Sequence, residues 1–170
     1  MKIKKICFYG PESTGKTSMA IRMAEVFHTT FVPEVAREML VKNDFSIEEI
    51  IRIGERQTER ILEKEKTATR LLMCDTDLIT TQIYADYYLG VVPPILYELE
   101  QRVSYDLYFL FDVDVPWVAD GLRDIPHKRE EMFMIFKNAL DQRNIPYVVV
   151  RGDYQTRETR VKREIEKLLA

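Results

Sequence analysis

Gly10-Pro11-Glu12-Ser13-Thr14-Gly15-Lys16-Thr17 follows the apolar run Ile6-Cys7-Phe8-Tyr9 and reads G-x-x-x-x-G-K-T. An apolar strand leading into such a loop, with a helix-compatible stretch from Ser18 to Phe27 leading out, is the signature of a phosphate-binding loop. The glycines let the backbone wrap tightly, so that successive N–H groups point inward at a phosphate. The positive end of the following helix adds to the same attraction. Gly10, Glu12, Ser13, Thr14, Gly15, Lys16, Thr17 and Ser18 are therefore the candidate contacts to a nucleoside triphosphate such as ATP. Lys16 is placed for its β- and γ-phosphates, and the Thr17 hydroxyl for Mg²⁺.

Outward from the loop, strand and helix patterns alternate. Strands are expected at about 3–9, 29–32, 70–75, 106–111 and 145–150. Helices are expected at about 16–28, 35–41, 47–66, 76–89, 94–103 and 128–143, with a last one from about 155. Ser46-Ile47-Glu48-Glu49 has the spacing of a capping box, which opens the long third helix. Gly54 on its apolar stripe reads either as a close helix–sheet contact or as a tolerated glycine. The pattern predicts an α/β fold of the P-loop NTPase class, a five-stranded, mainly parallel sheet flanked by helices. The plan is that of a small nucleoside or nucleotide kinase, one domain over 1–170 with a lid at about 116–131.

Composition narrows the function classes. At 170 residues, with 46% hydrophobic and 31% charged residues, the chain can bury a full core and is neither disordered nor membrane-like. Its formal charge of −3 lacks the basic excess of a duplex binder, so no nucleic-acid partner is expected. No apolar run is long enough to span a bilayer. Cys7 and Cys74 fall in buried strands and read as reduced core residues, which suits a cytoplasmic protein. Homo-oligomerisation is left open.

No N-K-x-D stretch reads a guanine base here, and the chain is short for a motor ATPase. A small-molecule kinase needs a polar group after the second strand, an acidic end to a central strand and an arginine-bearing lid. Glu34, after the second strand, is a candidate for the acceptor hydroxyl or else a first-turn helix glutamate. Arg37 could bind substrate or pair with Glu34 or Glu38. Asp75 could order Mg²⁺ or take the acceptor's proton. Asp77 could bind a ribose diol or cap the next helix. Thr80, Thr81 and Tyr84, on the first turns of that helix, could contact substrate or serve core or surface roles. Trp117 could cover a base, with Asp120 in the turn that follows. Arg123 and Arg129 could bracket the γ-phosphate. Tyr154, after the last strand, is a candidate for the nucleotide base.

Assembled, these segments resemble the ribosylnicotinamide kinase domain of the NadR proteins. The likeness runs almost end to end through G-P-E-S-T-G-K-T (10–17), P-E-V-A-R-E (33–38), C-D-T-D-L-I-T-T-Q-I-Y (74–84), Y-L-G (88–90), Y-D-L (105–107) and P-W-V-A-D-G-L-R (116–123). It implies phosphorylation of the ribose 5′-hydroxyl of nicotinamide riboside by ATP with Mg²⁺. That family tends to place an aromatic residue after the strand-two glutamate, where this chain has Val35. The adenylyltransferase and DNA-binding parts of NadR proteins are not expected, because the first strand begins almost at Met1. A nucleoside-monophosphate kinase and a nucleotide-dependent regulatory ATPase are the alternatives.

Overall fold

The computed structural model describes residues 2–40, 44–116 and 128–170. Its elements run β1 (Lys4–Tyr9), α1 (Lys16–Val26), β2 (Thr30–Val32), α2 (Val35–Met39), α3 (Ile47–Glu65), β3 (Leu71–Asp75), α4 (Leu78–Leu89), α5 (Ile95–Glu100), β4 (Leu107–Phe111), α6 (Arg129–Gln142), β5 (Val148–Val150) and α7 (Tyr154–Leu169). The strands form one sheet in the order β2-β3-β1-β4-β5, and every pairing is parallel. This is a P-loop kinase fold, with each crossover made by helix.

Alternation along β1 sorts the core. Ile6 and Phe8 face Met19, Met23, Val161 and Ile165 of α1 and α7, while Cys7 and Tyr9 face Ile79, Ile83, Phe136 and Leu140 of α4 and α6. Both faces are covered, so β1 and β3 read as nearly continuous apolar runs. Cys7 and Cys74 are partners in the β1–β3 register, both free and fully buried. Burial pushes both thiol pKa values up, which keeps them inert. No described helix is long and apolar enough to cross a membrane.

The capping box is present: Ser46 Oγ accepts from the Glu49 N–H at 3.2 Å, and Glu49 Oε1 accepts from the Ser46 N–H at 3.1 Å. Other ends differ from expectation for local reasons. β5 has three residues, because Pro146 lacks an N–H for the ladder and Asn144 turns with φ 55°. α1 stops at Val26, ahead of His28 at φ 50°, and α2 stops at Met39, where Leu40 is extended. α5 is only six residues long. α4 starts two residues late, because Thr76 has φ 74° and Asp77 caps the helix. Gly54 makes a close contact, but to helices rather than the sheet. A Cβ there would meet Leu96 of α5 at 2.6 Å and Leu78 of α4 at 3.2 Å.

Gly10 closes β1 against β4. Its φ is 138°, and a Cβ on it would lie 2.9 Å from the Phe111 carbonyl oxygen and 3.1 Å from the Phe111 nitrogen. Backbone on both sides cannot yield as a side chain would. Gly10→Ala is therefore expected to cost about 2–3 kcal/mol through strain and overpacking. A lower denaturant midpoint at unchanged m-value checks this.

Candidate active site

The loop between β1 and α1 is tightened from within. Ser13 takes φ 61° and Gly15 φ 86°, and the Thr14 hydroxyl donates to the Pro11 carbonyl at 2.8 Å. Lys16 Nζ donates to the same carbonyl at 2.7 Å, so the ammonium lies across the mouth of the loop. Desolvation lowers its pKa, against the pull of Glu34 and Asp75, which favour the charged form. Gly15 is the N-cap of α1 and carries no side chain to accept from the helix's first N–H groups. Those donors are left for an anion.

Asp75 ends β3 beside the loop, since Phe8 and Asp75 are register partners. Its Oδ2 accepts from the Thr17 hydroxyl at 2.5 Å, while Oδ1 is buried with no hydrogen-bond partner among the described residues. A hydroxyl beside an orphaned carboxylate oxygen fits Mg²⁺, which takes few protein oxygens and fills its octahedron with water and phosphate. Among the described residues no cluster of three or more His, Cys, Asp or Glu side chains stands ready for a metal. Thr76 follows with a left-handed backbone that β-branched residues rarely adopt, its hydroxyl buried and without a partner among the described residues.

Asp77 turns away from the role of ribose ligand. Oδ1 accepts from the Thr80 N–H and hydroxyl, both at 2.9 Å, and Oδ2 accepts from the Tyr108 hydroxyl at 2.7 Å. It is 1% exposed and caps α4. Each oxygen is thus already satisfied inside the protein.

A cleft opens on one side of the loop. Lys16, Glu12, Glu34 and Arg37 line its polar part; Phe45, Ile50, Ile53 and Tyr84 line its apolar part. Glu34 and Arg37 pair at 3.7 Å, while Glu38 belongs to Arg60 through bonds of 2.7 and 2.9 Å. Glu12, expected among the phosphate contacts, turns into this cleft as well. Burial raises the Tyr84 phenol pKa, and the ring lies stacked 6.1 Å from Tyr88. Gln57, Thr76, Thr80 and Thr81 also line it. Gln57 carries no signal in the sequence, because a polar residue within an apolar helix stripe looks like noise.

On the other side of the loop Ser13, Thr14, Gly15, Ser18, Phe111, Pro116, Tyr154 and Arg157 surround a second, more open cleft. Tyr154 is half exposed at its edge. Arg129 donates to the Val115 carbonyl at 2.5 Å and to the Ser13 carbonyl at 3.2 Å. It braces the loop backbone, and its Nε–H has no hydrogen-bond partner among the described residues. Arg157 does more than sequence suggested. It is 3% exposed and donates to the carbonyls of Thr14 at 2.7 Å, Gly152 at 2.9 Å and Asp112 at 3.2 Å, with Asp114 as its ion-pair partner. Trp117, Asp120 and Arg123 lie outside the described residues.

Burial raises the Asp75 pKa above its unfolded value, with Lys16 and Thr17 offsetting part of the rise. Such a carboxyl costs nothing below its unfolded pKa; the cost grows between the two values and is complete above the folded one. Asp75→Asn should therefore raise the Tm of the ligand-free protein at neutral pH, and the gain should vanish below about pH 4. Thermal melts of both proteins across that range check the sign.

Comparisons with known proteins fit this geometry. Residues 5–157 match the family described as AAA domain. The chain is 28% identical, over 98% of its length, to the trifunctional NAD biosynthesis/regulator protein NadR of Escherichia coli strain K12, and it covers 43% of that protein. It superposes with TM-score 0.85 and 21% identity on a crystal structure of a NadR protein in complex with NR, across 98% of this chain and 51% of the other. A deoxyadenosine kinase from M. mycoides with bound dATP gives TM-score 0.67 at 14% identity, across 96% and 99% of the two chains. The family match runs from β1 to Arg157 and takes in both the phosphate loop and Asp75, and on that ground the chain belongs to the AAA-domain family, with the fold of a P-loop kinase.

Proposed function

We propose that the chain is an ATP- and Mg²⁺-dependent nucleoside kinase that phosphorylates the 5′-hydroxyl of nicotinamide riboside, giving nicotinamide mononucleotide and ADP. The observation that carries this is the cleft of Lys16, Glu12, Glu34 and Arg37 against an apolar wall, next to a phosphate-binding loop. Its lining, a few polar groups at one end of an apolar wall, suits a nucleoside. Its paired acids suit an uncharged or cationic acceptor, and the cation among them that could bind a second phosphate, Arg37, is drawn to Glu34. The likeness to NadR, a protein of NAD biosynthesis whose crystal structure contains NR, supports nicotinamide riboside in particular.

The loop amides and Lys16 hold the triphosphate, with Lys16 leaving the Pro11 carbonyl for a phosphate oxygen. Thr17 and Asp75 would hold Mg²⁺, which when bound neutralises charge on the β- and γ-phosphates. Glu34, steadied by Arg37, accepts the proton of the 5′-hydroxyl as that oxygen bonds to the γ-phosphorus. The bond from the γ-phosphorus to the bridging oxygen breaks, and its electrons leave with ADP. Phe45, Ile53 and Tyr84 enclose the ring of the acceptor. Tyr154 borders the space for the adenine.

Glu34→Gln should lower kcat by about 10²–10⁴-fold while leaving ATP affinity nearly unchanged. Steady-state assays on a panel of nucleosides and nucleoside monophosphates check the assignment. Nicotinamide riboside should lead that panel. A monophosphate in first place would make the chain a nucleotide kinase, and ADP release unaffected by every acceptor would make it a regulatory ATPase.

A further inference from the structure

Helix α3 directs Ile50, Ile53 and Gln57 into the cleft, positions that share one helical face. Gln57 is the polar end of that apolar strip, and it is only 2% exposed. Its Oε1 accepts from the Val35 N–H at 2.9 Å. An N–H can meet only the carbonyl end of the amide, so this bond fixes which way the side chain is turned. The NH₂ end is left on the opposite side. There Nε2 is buried and has no hydrogen-bond partner among the described residues.

A buried donor without a partner is costly, and native interiors rarely keep one unless a ligand answers it. We propose that Gln57 is a specificity-determining residue that donates a hydrogen bond to a carbonyl oxygen on the ring of the bound nucleoside. This rests on the nucleoside-kinase reading above. The ring carbonyl is favoured over a ribose hydroxyl by the division of the lining. Hydroxyl hydrogens need acceptors, which Glu12 and Glu34 supply near Lys16. The donor stands instead on the strip with Ile50 and Ile53, along which a planar ring would lie. An edge oxygen that can only accept is what a fixed amide N–H selects.

The test compares nicotinamide riboside with pyridine riboside, which lacks the carboxamide, on the wild type, Gln57→Glu and Gln57→Met. Gln57→Glu keeps an oxygen for the Val35 N–H and loses the donor; Gln57→Met loses both and adds no charge. Circular dichroism and thermal melts establish that each variant is folded. The wild type should prefer nicotinamide riboside by about 10–100-fold in kcat/KM, mostly through KM, and both variants should lose most of that preference. Equal turnover of both acceptors by the wild type, or an undiminished preference in a folded Gln57→Met, overturns the inference alone. Turnover of neither acceptor removes the kinase reading and this inference with it.

Discussion

The site depends on holding a positive and a negative charge together at the dry rim of a parallel sheet. Lys16 and Asp75 are each pushed toward neutrality by desolvation, and each is pulled back by the other. The β1–β3 register sets that separation, because it places Asp75 beside Phe8, at the strand end from which the loop departs. Asp75 is buried and not fully matched by protein, since its Oδ1 has no hydrogen bond among the described residues. A metal–polyphosphate complex would satisfy both charges. The binding site is thus an unfinished electrostatic arrangement, and the fully packed core beneath it supplies the stability that tolerates it.

The loop also divides the molecule's open space. Glu12 turns toward Glu34 and the apolar wall of α3, whereas Ser13, Thr14 and Gly15 border the opposite cleft. Neighbouring residues of one short segment therefore serve two compartments. The left-handed backbone at Ser13 lies at that divide. An in-line transfer needs such a partition, since donor and acceptor must meet from opposite sides of the moving phosphoryl group.

What the amino-acid order reveals here follows from how local each signal is. The phosphate loop is contiguous, and the strands are apolar runs with turn residues at their ends, so loop, element order and sheet type were legible. Glu34 and Asp75 stand out in the sequence because strand ends are where such folds place chemistry. Asp77 was ambiguous by nature: an aspartate before a helix is both a good cap and a good ligand, and only Thr80 and Tyr108 decide between them. Gln57 and Arg157 were hidden for another reason. Their meaning lies in partners distant along the chain, Val35 for one and Thr14 for the other. The break at Thr76 was hidden too, because a threonine beside an aspartate signals an ordinary helix start.

Arg157 has a bearing on how the protein is made. Its guanidinium joins α7 to a carbonyl 143 residues earlier. A nascent chain leaving the ribosome therefore carries the whole phosphate-loop motif long before it carries the group that braces it. Until α7 has emerged and docked, the Thr14 carbonyl lacks that partner, and the contact that supplies it closes a long loop. The loop thus gains its full set of contacts only when the last helix is in place.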